Sequence, residues 1–404
     1  MGGVSDTPGL SPATRLATGG RRPEWTGAAV NPPVWRASTH LYDDCAALAA
    51  GTRSNEDGRF FYGRRGAPTQ WALAEALTQL EPGAAGTQLY PSGLAAVAFA
   101  LLAVVAPGDE VLIADNAYDP SRNLGKGWLA QWGVTARFFD PLDIAGFAAM
   151  IGANTRAVVL ESPGSLTMEV CDVPALASAA KARGLAVLVD NTWASSLGFQ
   201  ALERGADLSI MALTKHVGGH SDLMLGSVTA TAAYLPSLRR AAQALGQVAA
   251  PDDCALALRG LRTLGVRLAR QSETALTVAR WLEQRPQVAR VLCPMLPGAP
   301  GHALWQRDFA GGCGLFSFVL RGGDAAARAR LIDTLRLFGI GYSWGGFESL
   351  ALPIDPARDR SVTAWPLPGS DPADRFAVRL SIGLEDAGDL IADLDRGFAA
   401  LATP

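Results

Sequence analysis

From Thr69 onward the chain alternates short apolar runs with segments of helical composition, and this alternation limits its fold more than any other feature. The runs are residues 87–90, 110–114, 135–139, 157–161, 186–190, 208–213 and 227–231, most of them built from Val, Ile, Leu and Phe. Continuous apolar strands separated by helices, such as the one expected over 173–183, imply a mostly parallel sheet covered on both faces. The longest apolar run, 94–106, lies between Pro91 and Pro107. It falls short of the roughly 20 residues a bilayer span needs and is expected to be a buried helix. After Leu261 the pattern changes to a long helical stretch over 266–285 and a smaller α/β unit with strands near 315–320 and 377–382. A closing helix over 386–401 carries acidic residues in its first turn, where the helix dipole favours them.

Before Thr69 the periodicity is weak. Turn formers cluster at Asn31-Pro32-Pro33, Asn55-Glu56-Asp57-Gly58 and Gly63-Arg64-Arg65-Gly66, with one helix expected near 43–50. The expected organisation is an arm over 1–66, a large domain over 67–261 and a small domain over 262–404. A net charge of −3 supplies no basic field for nucleic acid or anionic lipid, so neither is expected as a partner. The five cysteines are scattered without a CxxC pair, which argues against a disulfide framework or a structural zinc. The first twenty residues lack the apolar core of a signal peptide, and a cytoplasmic location is expected.

Ligands of an open parallel sheet bind beyond the carboxyl ends of its strands. Asp190 ends the run 186–190, Lys215 follows the run 208–213, and Ser92 and Gly93 open a helix straight after 87–90. Lys215 is one of only three lysines, with Lys126 and Lys181, in a pool of 35 lysines and arginines. Where any cation serves, this chain uses arginine; a guanidinium cannot form an imine, so a retained lysine points to a needed amine. Taken singly, such a lysine is a solvated loop residue, such an aspartate an N-cap, and Pro91-Ser92-Gly93 an ordinary helix start. Together they suit pyridoxal phosphate. The helix N-terminus at Gly93 and Leu94 takes the phosphate, Asp190 keeps the ring nitrogen protonated, and Lys215 bonds the aldehyde. His216 and His220 have the spacing of a helical metal pair, but Gly218-Gly219 intervenes and no HExxH follows, so no metal is expected. His220 is expected to be a structural hydrogen bonder, and Arg262, Arg267 and Arg270 to form a solvated helix face or a subunit contact.

Several stretches carry a family likeness. Tyr62-Gly63-Arg64-Arg65-Gly66, Asn116-Ala117-Tyr118-Asp119-Pro120-Ser121, Glu161-Ser162-Pro163-Gly164-Ser165 and Val189-Asp190-Asn191-Thr192-Trp193 resemble the cystathionine β-lyases of the Cys/Met-metabolism family of pyridoxal-phosphate enzymes. So do the segments beginning Thr214-Lys215-His216, Tyr342-Ser343-Trp344-Gly345-Gly346 and Arg379-Leu380-Ser381. The resemblance implies a fold-type-I, transferase-like subunit, assembled as a tetramer of two active dimers, with pyridoxal 5′-phosphate as cofactor. It implies a carbon–sulfur β-lyase that cleaves cystathionine, with γ-lyase or cysteine desulfhydrase activity as the alternative and a regulatory homologue as a remote one.

Residue by residue, the resemblance makes Lys215 the cofactor-bonding lysine, Asp190 the ring-nitrogen partner and Tyr118 the ring-stacking residue. Gly93, Leu94 and Thr214 match phosphate positions. Tyr62 and Arg64 match a pair that reaches the neighbouring subunit's site. Arg379 matches the residue that grips the substrate carboxylate, with Ser343, Trp344 and Tyr342 at that end. The chain departs from the resemblance at His216, where tyrosine is usual, and at Gly219, where valine is common; both bear on local packing.

Overall fold

A computed structural model describes residues 9–52, 58–367 and 369–402. Asn55-Glu56-Asp57 of the expected turn therefore lie outside the described residues, as do residues 1–8.

The large sheet contains β1 (Gly86–Tyr90), β2 (Glu110–Ala114), β3 (Thr135–Phe139), β4 (Thr155–Glu161), β5 (Ala186–Asp190), β6 (Leu208–Met211) and β7 (Gly226–Ala230). Their order is β1-β7-β6-β5-β4-β2-β3. All pairings from β3 through β6 are parallel, and β7 runs antiparallel to both of its neighbours. Each strand falls where its apolar run is expected. The run 94–106 forms the helix Gly93–Leu102, whose Ala96, Val97, Phe99, Ala100 and Leu101 are buried against the sheet. No helix among the described residues is long and apolar enough to cross a membrane.

The second sheet holds β8 (Val288–Leu292), β9 (Leu315–Leu320), β10 (Leu350–Ile354) and β11 (Ala377–Ser381), antiparallel in the order β10-β11-β9-β8. Only its two central strands are visible as apolar runs. The two edge strands are masked by Arg290 in β8 and Pro353 in β10, residues that an edge tolerates because one side of its ladder is unpaired.

The helical stretch expected over 266–285 is the helix Leu264–Glu283, and a further helix, Pro251–Arg262, precedes it across Thr263. One expectation is corrected. Of the three arginines expected on a solvated face or at a subunit contact, only Arg270 is exposed. Arg267 is buried and donates to the carbonyls of His216 and Gly260, at 2.7 Å each, while Arg262 donates to the Leu16 carbonyl at 2.6 Å. Gly219 adopts φ +68° directly against Arg267, and a Cβ there would lie 2.0 Å from the guanidinium Nη1. The departure at 219 thus makes room for a buried cation.

The start of the chain also has a place. The helix Pro12–Thr18 packs on the helix Pro68–Leu80, and Leu16 and Trp25 join the core. The helix expected near 43–50 spans Cys45–Thr52.

Asp115, just beyond β2, ties the large sheet to residues 361–363 of the C-terminal part. Its wholly buried carboxylate accepts from Arg122 (2.7 Å), from the backbone N–H groups of Ser361, Val362 and Thr363, and from the Ser361 and Thr363 hydroxyls. Burial opposes its charge, but the donors of Thr363, Val362 and Ser361 outweigh that and hold the carboxyl far below the usual carboxylate range. A carboxyl with a depressed folded value contributes stability above its unfolded pKa, about 3.9, and loses it as pH falls toward the folded value. Asp115→Ala is expected to cost about 3–5 kcal/mol in denaturant unfolding at pH 7, because Arg122 is left buried and unpaired. The difference from wild type should shrink as the pH drops below about 4.

Candidate active site

The pairing of β5 with β6 decides which groups meet. Asp190 is the last residue of β5, opposite Ile210 of β6, and Lys215 lies four residues past the end of β6 in a turn closed by its N–H on the Ala212 carbonyl. Both side chains line one cavity of about 330 Å³. Ser92, Gly93 and Leu94 line it too, as do Tyr118, Thr214, Trp344 and Arg379. Ser92 caps the helix Gly93–Leu102 by accepting the Ala95 N–H at 3.1 Å. Gly93 lets that helix end approach the strand: a Cβ there would stand 2.6 Å from the Ala212 Cβ. Free N–H groups at the first turn are thereby brought to the cavity wall.

The second sheet closes the other side. Arg379 on β11 donates through Nη2 to the Ser343 carbonyl at 3.0 Å. The Lys215 Nζ donates to the Ser343 Oγ at 2.7 Å and stands 5.6 Å from the Trp344 ring centroid. Ser343 pays for this double role with φ +83°, a left-handed backbone that a non-glycine residue adopts only under constraint.

The electrostatics follow from burial. The Lys215 amine is pushed down to about 8 by burial and by the Arg379 charge, against the pull of Asp190. Burial pushes the Asp190 carboxyl up, opposed by the Thr192 side chain and backbone and by Lys215. Burial lowers the Arg379 guanidinium to about 10. The Thr192 hydroxyl and N–H both donate to Asp190 Oδ1, at 2.6 and 3.0 Å, so Oδ2 is the oxygen available to a ring N–H.

An amine, a buried carboxylate with one available oxygen, an aromatic plate at Tyr118 and a helix N-terminus together fit an aromatic aldehyde phosphate. The Thr214 hydroxyl, expected near the phosphate, donates to the Leu225 carbonyl at 3.1 Å and accepts the Leu225 N–H at 2.9 Å. Tyr342 does not line the cavity: it is 88% exposed, though near enough to Arg379 to act on its charge. Tyr62 and Arg64 do not line this cavity. Tyr62 is exposed, and Arg64 donates to the Gln243 carbonyl at 2.8 Å.

Residues without an expected role also meet here. Thr192 orients Asp190, and its hydroxyl also accepts the Ala212 N–H at 2.9 Å. Glu161 accepts the Tyr118 N–H at 2.6 Å. Both lie in stretches that resemble the family, Thr192 two residues past the end of β5 and Glu161 at the end of β4, but nothing in the sequence assigned either a role. His216 is buried, its ring edge-on to Trp344 with centroids 5.1 Å apart. A His220 ring nitrogen lies 2.8 Å from the Gly218 carbonyl, the structural bond expected of it.

The model of the Cys/Met metabolism PLP-dependent enzymes matches residues 13–399. The chain belongs to that family. Its cofactor is pyridoxal 5′-phosphate. The chain is 45% identical to the cystathionine β-lyase MetC of Escherichia coli K12 over 96% of its length and 98% of that protein's. The β-lyase of Salmonella typhimurium LT2 gives the same identity and coverage. The crystal structure of a cystathionine γ-synthase from Xanthomonas oryzae pv. oryzae, in complex with cystathionine, superposes with a TM-score of 0.87 at 34% identity, covering 98% of this chain and 99% of that one. The fold is thus that of the fold-type-I enzymes, as expected.

The Lys215–Arg379 repulsion is testable in cofactor-stripped protein. Arg379→Met removes a charge that lowers the amine's pKa, so that pKa should rise, by on the order of one unit. The pH profile of amine-directed labelling at Lys215 reads the shift; an unchanged midpoint would show that the Arg379 charge does not act on it.

Proposed function

We propose that this enzyme cleaves L-cystathionine by β-elimination, releasing homocysteine and a three-carbon fragment that hydrolyses to pyruvate and ammonia. The observation that carries this is the 45% identity to the β-lyases along nearly the whole chain, against 34% to the γ-synthase. Two segments side with it: Tyr118-Asp119-Pro120-Ser121 and Tyr342-Ser343-Trp344, of which Tyr118, Pro120 and Trp344 line the cavity, both resemble β-lyases.

Pyridoxal phosphate, when bound, supplies an aldehyde for the substrate amine and a ring that withdraws the electron pair left at Cα. The protein's residues do the rest. Arg379 grips the α-carboxylate with its planar fork, which fixes the orientation of the Cα–H bond. Lys215 takes the Cα proton; an amine with a pKa near 8 suits proton exchange at neutral pH. Asp190, steadied by Thr192, would keep the ring nitrogen protonated, and Tyr118 would serve as the aromatic plate. Gly93 and Leu94 would hold the phosphate through the helix N-terminus, with Thr214 beside them once its hydroxyl turns from Leu225. The departing thiolate receives its proton from Lys215 or from a tyrosine, Tyr118 or the Tyr62 of a neighbouring subunit.

The active form is a homo-oligomer, a tetramer of two dimers, working in the cytoplasm. Residues 1–66 serve as its arm, 67–261 as the cofactor-binding domain and 262–404 as the small domain. Supporting this, Tyr62 and Arg64 stand away from their own chain's cavity, and the same arm exposes Val30, Trp35, Leu41 and Phe60.

Two measurements test the function. Lys215→Ala should abolish the visible cofactor band and lower pyruvate formation by at least about a thousandfold, the scale for loss of a combined nucleophile and proton carrier. On the wild-type enzyme, cystathionine should yield pyruvate; 2-oxobutyrate as main product would replace β- with γ-elimination.

A further inference from the structure

Glu161 and Asp190 end neighbouring strands in register. β4 pairs in parallel with β5, and Glu161 stands opposite Asp190. Both line the cavity that holds Lys215. Two carboxylates on one water-poor wall resist ionising together.

Their surroundings are unequal. Asp190 receives two hydrogen bonds from Thr192 and feels the Lys215 cation. Glu161 receives one, from the Tyr118 N–H. The charged groups acting on Glu161 are Asp190 and Glu169, which oppose its ionisation, and Arg360, which favours it. Tyr118 is coupled to it in turn, with Arg379 beyond. Arg360 is already engaged with the Asp115 and Ser165 carbonyls and the Thr167 hydroxyl. Hydrogen bonds to a charged form hold the charge where they are most numerous, and here that is Asp190. Burial, then Asp190, raises the Glu161 carboxyl well above the ordinary glutamate value.

We propose that Glu161 is a positioning residue: as a neutral acid it reserves the wall's single negative charge for Asp190, and its carbonyl oxygen fixes the Tyr118 backbone. This rests on Asp190 being the partner of the ring nitrogen. A proton on Glu161 leaves one oxygen as acceptor, and one acceptor is what the Tyr118 N–H requires. One side chain thus acts on both the Tyr118 backbone and the charge at Asp190.

The test uses the holoenzyme. Glu161→Gln keeps an acceptor oxygen and cannot be charged. The wild-type-minus-variant infrared difference at pH 7 should show the C=O stretch of a protonated carboxyl. The pH midpoint of the visible cofactor band should stay within about 0.3 unit of wild type, since no charge is lost. Glu161→Ala strands the Tyr118 N–H, and cofactor affinity should fall about tenfold, a loss of about 1.4 kcal/mol, with Glu161→Gln restoring it. An ionised-carboxylate band in the difference spectrum, a midpoint moved by about one unit or more, or full affinity in Glu161→Ala would each overturn the proposal. Asp190→Asn separates the two levels. It should weaken cofactor binding beyond Glu161→Ala, and unchanged affinity there would remove the role of Asp190 itself, whatever Glu161 does.

Discussion

The parallel ladder between β5 and β6 is the contact on which the chemistry depends. It places the last residue of one strand and the turn after the next at a common edge, so that Asp190 and Lys215 share a cavity although 25 residues separate them. Parallel strands of this kind need helical crossovers, and the crossovers cover both faces of the sheet. The apolar cover removes water from the strand ends, and water removal shifts the groups there. The amine falls to about 8 for the same reason that the carboxyl beside it rises.

The second sheet completes the site through Ser343. One residue with a left-handed backbone presents its hydroxyl to Lys215 and its carbonyl to Arg379. Strain at such a position persists only when neighbours fix it. Here Gly345 donates to the Ser381 hydroxyl two residues on, and Arg379 itself is held in β11 between β9 and β10. The Asp115 cluster works at another junction of the same two parts, gathering backbone N–H groups from residues 361–363 around one carboxylate. Polar contacts at both places therefore tie the two parts together.

The large sheet was legible because its inner strands β2, β4 and β5 are almost wholly buried and show as apolar runs, and even the edge strand β3, with Thr135 and Arg137 exposed, keeps the pair Phe138-Phe139. The small sheet was half legible for the converse reason: β8 and β10 are edges, where Arg290 and Pro353 cost little and blur the pattern. The pair Asp190 and Lys215 could be found from chemistry, since one of only three lysines follows one strand, an aspartate ends its neighbour, and the two together suit a cofactor that neither would suggest alone. The residues that tune the pair could not. Thr192 acts through two hydrogen bonds to Asp190 and Glu161 through its register and one bond from the Tyr118 N–H, and neither leaves a compositional trace.

Arg267 shows how far a helical pattern can mislead. Its neighbours along the helix Leu264–Glu283 include exposed Val266 and Arg270, which suggests a solvated face, yet its guanidinium enters the protein to bind backbone carbonyls. It reaches the His216 carbonyl only because Gly219 has no side chain in its path. His216 in turn sets its ring edge against Trp344, the indole that faces the Lys215 amine. The two departures from the family pattern, at 216 and 219, are thus physically joined. A small residue admits a buried cation, the cation anchors the backbone next to Lys215, and the His216 ring packs edge-on against the indole. Burial keeps that ring neutral, with its pKa lowered to about 3, so it adds no second charge beneath Lys215.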